Sequence, residues 1–210
     1  VTKPLIPVLC VDDHAVVREG IAAIIDMQPD MVVVGAAATG EEALALFHRH
    51  RPAVTLMDLQ LPGISGLEAI KNIRADDPDA RIIVLTMYEG DEDIFRALRA
   101  GAATYLLKNT LSDDLVRVVR EVHSGEHPMT ADVAVRLAAR TTEPSLTLRE
   151  TEVLTLLAKG MRNKEIGATL GITEETAHGY IKNIFTKLKV KDRTAAVTVA
   201  LRRGIIHLTP

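Results

Sequence analysis

The sequence predicts two domains of different class: a doubly wound, five-stranded parallel α/β sheet, then an all-α domain of four helices built around a helix-turn-helix. Three observations predict it. Five short apolar runs alternate with amphipathic stretches up to about Ser124, the pattern loosens between residues 125 and 145, and from Leu146 onward helical patterns follow one another without a strand signal. Strict alternation implies a parallel sheet with crossover helices, and uninterrupted helical periodicity implies a separate helical unit. The domain limits read from this are 1–124 and 146–210, with a linker at 125–145.

In chain order, the strands are Ile6 to Val11, Met31 to Ala36, Val54 to Met57, Arg81 to Thr86 and Ala103 to Leu107. Arg81-Ile-Ile-Val-Leu-Thr86 is apolar without alternation, as suits a strand covered on both faces. Helices between them open on capping boxes, with Glu three residues after a hydroxyl in Thr39-Gly-Glu-Glu42 and Ser65-Gly-Leu-Glu68. The linker carries a short helix over 131–140. Beyond it, Thr147 and Glu150 form a further capping box, Val153, Leu154, Leu157 and Ala158 continue the helix, and Gly160 ends it. Asn163 to Leu170, the turn Gly171-Ile172 and a helix capped by Thr173 and running to about Leu188 make the helix-turn-helix. Ala177, Ile181, Ile184 and Leu188 form the buried stripe of that second helix.

Composition is ordinary for a globular chain, with 47% hydrophobic and 25% charged residues, and no apolar run reaches the length of a membrane span. No targeting signal is visible, no membrane is expected, and the single Cys10 excludes an intramolecular disulfide or a multi-cysteine metal site, pointing to a cytoplasmic location. Charge is divided unevenly: 14 basic and 22 acidic residues precede Ser145, against 11 basic and 6 acidic from there on. Only the C-terminal part is expected to touch a polyanion.

In a doubly wound sheet the carboxyl ends of the strands face the ligand. Strand one ends in Asp12-Asp13, strand three in Asp58 and strand four in Thr86, and Lys108 follows strand five. A single Asp at a strand end is commonly a helix cap and a single Lys a solvated charge. Convergence of all five on one edge favours chemistry. Clustered carboxylates call for a hard divalent cation, and Mg²⁺ is expected on Asp13, Asp58 and the Gln60 carbonyl, with Asp12 acting through water. Asp58 then serves as a nucleophile toward phosphorus, Lys108 neutralises developing charge and Thr86 donates to a phosphoryl oxygen.

Val11-Asp-Asp13, Met57-Asp58-Leu-Gln-Leu-Pro62-Gly, Leu85-Thr86-Met and Tyr105-Leu-Leu-Lys108 resemble the motif set of bacterial response-regulator receiver domains, over about residues 5 to 124. The resemblance implies a flavodoxin-like fold, phosphoryl transfer to Asp58 from a sensor histidine kinase, and Tyr105 as an aromatic switch that turns inward as Thr86 moves. Asn109 stands where many receivers have proline, so the family's cis peptide bond is not expected. A haloacid-dehalogenase-type phosphohydrolase is the competing enzyme class. It needs a second Asp two residues after the nucleophile; Gln60 is there instead, which favours stoichiometric phosphorylation with slow self-dephosphorylation over turnover. Tyr88 either screens the phosphoryl group from water or is a plain surface aromatic, and its sequence does not decide.

On the second helix of the helix-turn-helix the face opposite the stripe presents Glu175, His178, Gly179, Lys182 and Thr186, flanked by Tyr180, Asn183 and Lys187. A basic amphipathic helix alone is more often a solvated surface. The expected DNA-facing set is Lys164, Thr173, Thr176, His178, Gly179, Lys182, Asn183 and Lys187, with Lys189 and Lys191 holding phosphates. Thr147-Leu-Arg-Glu-Thr-Glu-Val-Leu154, Gly160-Met-Arg-Asn-Lys-Glu-Ile166, Leu170-Gly-Ile-Thr-Glu-Glu-Thr176 and Leu188-Lys-Val-Lys-Asp-Arg-Thr194 resemble the LuxR-type DNA-binding domain over about 145 to 208. With the receiver, the chain is similar to response regulators of the NarL/FixJ class. Leu148 replaces a frequent proline, and Thr176-Ala-His-Gly-Tyr180 replaces the usual Thr-Val-Lys-x-His, so the family's operator preferences do not transfer.

That resemblance implies that the unphosphorylated receiver hides the recognition helix and that phosphorylation releases it, giving a homodimer on double-stranded promoter DNA. Ala196, Val199 and Ala200 suggest a dimer contact or an ordinary core stripe. A phosphate acceptor that binds proteins and no longer reads DNA is the alternative function.

Overall fold

The computed structural model describes residues 4–87, 90–108, 112–129, 134–135 and 144–207, the side chains of 112 and 113 excepted. The chain forms two compact units. From Ile6 to His123 the chain alternates strand and helix: β1 Ile6–Val11, α1 Ala15–Asp26, β2 Met31–Ala37, α2 Gly40–His50, β3 Val54–Met57, α3 Gly66–Asp76, β4 Ile82–Thr86, α4 Asp91–Arg99, β5 Thr104–Leu107 and α5 Ser112–His123. All pairings are parallel, in the order β2-β1-β3-β4-β5. Strand limits fall within a residue of those expected. Arg81 lies just before β4; it is exposed, and its carbonyl accepts the Thr55 N–H at 2.9 Å.

Alternation along each strand divides the core into two layers. Val8, Cys10, Val54, Leu56, Ile83, Leu85 and Leu106 pack with Ile21 and Ile25 of α1 and Leu115, Val119 and Val122 of α5. Leu9, Val11, Met57, Ile82, Val84 and Tyr105 point to the other face and are buried too, as are Phe47 of α2 and Ile70 and Ile73 of α3. Such double coverage explains the unbroken apolar strands. Ser65 and Glu68 form the expected capping box of α3. At α2, Thr39 accepts from the Glu42 N–H, but the Glu42 carboxylate takes the Ala38 N–H at 2.8 Å, one residue before the cap.

The second unit holds α6 Leu148–Ala158, α7 Asn163–Leu170, α8 Glu174–Leu188 and α9 Arg193–Arg202. Val153, Leu154, Leu157, Ile166, Ala177, Ile181, Ile184, Leu188, Ala196 and Ala200 form its core with Ile205 and Ile206. The expected stripe of α8 is therefore buried, and Ala196 and Ala200 belong to the core rather than to a free face. Of the linker helix expected over 131–140, Ala134 and Val135 are helical and the rest lies outside the described residues, as do Tyr88 and Asn109. Among the described residues no helix is long and apolar enough to cross a membrane.

Candidate functional site: an aspartate cluster and a helix-turn-helix

Pairing of Val11 with Met57 sets the ends of β1 and β3 side by side, where the strand order reverses and doubly wound sheets bind their ligands. Asp12 and Asp58 continue those strands. The Asp58 N–H donates to the Val11 carbonyl at 3.0 Å and the Asp12 N–H to the Ala37 carbonyl at 3.0 Å, so both aspartates are fixed by sheet hydrogen bonds. Both are buried, at 1% and 4% exposure. Lys108 reaches them from the end of β5, where its own N–H donates to the Thr86 carbonyl at 2.9 Å. Its Nζ lies 2.5 Å from Asp12 Oδ2 and 2.6 Å from Asp58 Oδ2.

Burial raises the Asp58 carboxyl above its ordinary value; the bond from Lys108 opposes this and the charge of Asp12 adds to it. For Lys108, burial acts against the charge, but hydrogen bonds to Asp12 and Asp58 outweigh it and the ammonium is held above its ordinary value. One cation thus offsets two buried carboxylates and leaves a net negative site. Ligand atoms of Asp12, Asp13, His14 and Asp58 lie within 4.8 Å of one another, a spacing at which one ion can be shared. Three hard carboxylates fit Mg²⁺. His14 Nδ1 stands 2.6 Å from Asp13 Oδ1, at the more exposed side of the cluster.

Thr86 and Tyr105 share the sheet face of Val84, which pairs with Tyr105, and both are fully buried. A hydroxyl at the end of β4 and an aromatic ring on the neighbouring strand thus lie on one buried face of the sheet. Gln60 donates its N–H to Asp58 Oδ1 at 3.3 Å. Cys10 lies two residues before Asp12, and burial pushes its thiol up to about 12, with Asp26 and Asp12 adding to the effect; such a thiol is inert as a nucleophile.

In the helical unit, Gly171 turns the chain in the left-handed region at φ 65° between α7 and α8, and a Cβ on Gly167 would meet the Ile172 carbonyl at 2.8 Å. Thr173 caps α8 by accepting the Thr176 N–H at 3.1 Å. Lys164, Thr173, Thr176, His178, Gly179, Lys182 and Asn183 are all exposed. Lys187 is different: its Nζ lies 2.7 Å from the buried Glu150 carboxylate, and its side chain is 29% exposed. Sequence reasoning assigns its charge to DNA, whereas in the structure that charge first ties α8 to the capping box of α6.

Residues 8–120 match the response regulator receiver domain family and residues 144–200 the bacterial regulatory proteins of the luxR family. Response regulator protein VraR of Staphylococcus aureus (strain Mu3) is 39% identical over 207 residues, covering 96% of this chain and 99% of its own. The chain belongs to the response regulators. Two solved structures of this family are similar to it over nearly their whole length. Response regulator ChrA of a heme-sensing two-component system has a TM-score of 0.59 and 33% identity over 97% of this chain and 100% of its own. The RcsB–DNA complex has 0.68 and 25% over 94% and 98%. This response regulator accordingly pairs a phosphoaccepting receiver with a LuxR-type DNA-binding domain, takes phosphate from a histidine kinase rather than turning over a substrate, and carries an acidic cluster matching the magnesium site of receivers.

Three features of this regulator escape a reading of the sequence. His14 joins the acidic cluster, and only its position directly after Asp12-Asp13 hints at it. Glu150 is read as a cap, yet it is also the buried partner of Lys187, 37 residues on. Gly66 opens α3 so close to Asp58 that a Cβ there would strike the Asp58 carbonyl; within the sequence it is one glycine of a capping box.

Proposed function

We propose that Asp58 is the phosphoacceptor and that its phosphorylation governs how α8 reads promoter DNA, with domain limits at 1–124, 125–145 and 146–210. The observation that carries this is the pair of buried carboxylates bridged by Lys108 at the β1/β3 edge. One Asp58 oxygen forms a bond to phosphorus as the bond to the kinase imidazole nitrogen breaks, the imidazole keeping the electron pair. Asp13, Asp58 and the Gln60 carbonyl would hold Mg²⁺, with Asp12 acting through water, and the bound ion would supply positive charge to neutralise the phosphoryl oxygens. Lys108 releases its pairing with Asp58 to meet the phosphoryl group, Thr86 donates to it, and Tyr105 follows Thr86.

Lys182, His178, Gly179, Thr176 and Asn183 face the bases or their edges, while Lys164, Thr173 and, secondarily, Lys187 hold phosphates. Phosphorylated chains act as a homodimer on two half-sites; the relative RcsB has been solved as two dimers bound to two parallel DNAs. A reducing cytoplasm suits the free Cys10. The test uses full-length protein and a duplex selected from a randomised pool. Phosphorylation with a small phosphodonor and Mg²⁺ is expected to tighten binding at least about tenfold, with a steep salt slope, and Asp58→Asn to lose that gain. Equal affinity with and without phosphate would refute it.

A further inference from the structure

We propose that Gly179 is a specificity-determining position whose missing side chain admits a thymine methyl group of the operator. It rests on the reading of α8 as the recognition helix. Gly179 is the sixth of fifteen residues of α8 and exposed. Its helical neighbours at three and four residues on either side, Glu175, Thr176, Lys182 and Asn183, are exposed too, so it marks the centre of the open face.

Among the described residues nothing calls for glycine there. Its φ is not in the left-handed region, unlike Gly63, Gly101, Gly125, Gly160, Gly171 and Gly204. A Cβ at Gly179 would meet no atom within 4 Å, whereas at Gly167 it would strike the turn. Gly20 of α1 shares both properties, but Gly179 alone of the two sits on the face turned to DNA. Alanine would favour the helix at that position about fivefold. The domain forgoes this at the centre of its contact face.

A helix with side chains is about 10–12 Å across and the major groove about 12 Å wide, so one residue without a side chain lets the backbone sink by roughly a methyl. The exposed Cα then offers an apolar surface amid Thr176, His178, Lys182 and Asn183. The one apolar group on base edges in that groove is the thymine methyl.

The experiment selects a duplex from a randomised pool with phosphorylated full-length protein, then replaces each thymine of the site by uracil in turn. One such replacement is expected to weaken wild-type binding about fourfold, the equivalent of one buried methyl. Gly179→Ala is expected to melt higher than wild type, to bind the thymine duplex at least tenfold more weakly, and to be indifferent to that uracil. Unchanged affinity of the folded Gly179→Ala protein, or no thymine whose methyl matters, would overturn the inference while leaving DNA recognition by α8 standing. If the wild type selects no duplex at all, recognition by α8 falls, and this inference with it.

Discussion

Asp58 is a carboxylate whose burial holds it more basic than a free aspartate, beside a second buried carboxylate and a single lysine. Because its folded value is raised, the stability it contributes is complete below the ordinary aspartate range and is lost as pH rises through the raised value. At neutral pH an ionised Asp58 is therefore a cost to the receiver's stability, which a divalent cation held at the cluster would offset. Thr55 on β3 carries a smaller one. Its hydroxyl is fully buried and has no hydrogen-bond partner among the described residues. Thr55→Val keeps the shape, improves strand propensity and removes the orphaned group, and is expected to stabilise the receiver by about 1 kcal/mol in urea unfolding; a loss of stability would show that the hydroxyl is satisfied. At this scale Asp12, Asp58, Thr86 and Lys108 were legible because all terminate strands or follow them. Thr55 and Gly66 were not, since a strand threonine and a capping glycine look ordinary until the third dimension shows what stands opposite.

Elements were the most legible level. Thr147, Ser65 and Thr173 cap their helices as the sequence implies, and the stripe Ala177, Ile181, Ile184 and Leu188 is buried in full. Tertiary pairing between elements was not, and Glu150 with Lys187 is the instance that matters. Burial pushes the Glu150 carboxyl up, but bonds from Lys187 and the Thr147 N–H outweigh it and the carboxyl lies below its ordinary range. Its stabilisation is present above the usual glutamate range and is lost as pH falls through the lowered value. Lys187→Met is expected to cost the helical domain about 1–2 kcal/mol at neutral pH, less than a fully buried pair because of the residual exposure of Lys187, and to narrow that difference in acid. A variant as stable as wild type at pH 7 would contradict the structural role of Lys187 and return its charge to DNA.

For the whole molecule, the division of charge between an acidic first domain and a basic second one matches the division of labour between a magnesium-dependent phosphoacceptor and a polyanion-binding module. The parallel direction of the strands followed from alternation of elements, and the two families followed from motifs at strand ends and around the helix-turn-helix, whereas the order of the strands emerged only from the structure. How phosphorylation would be transmitted to α8 is an expectation from resemblance alone, because coupling resides in two alternative arrangements and a sequence pattern encodes the parts of each alike. The chain of cause begins at one atom, and the most direct measurement is there. Full-length protein incubated with acetyl phosphate and Mg²⁺ is expected to gain the mass of one phosphoryl group, mapped to Asp58 and lost on chelation of the metal or in Asp58→Asn. An unchanged mass, or a phosphoryl group that persists in Asp58→Asn, would contradict the account.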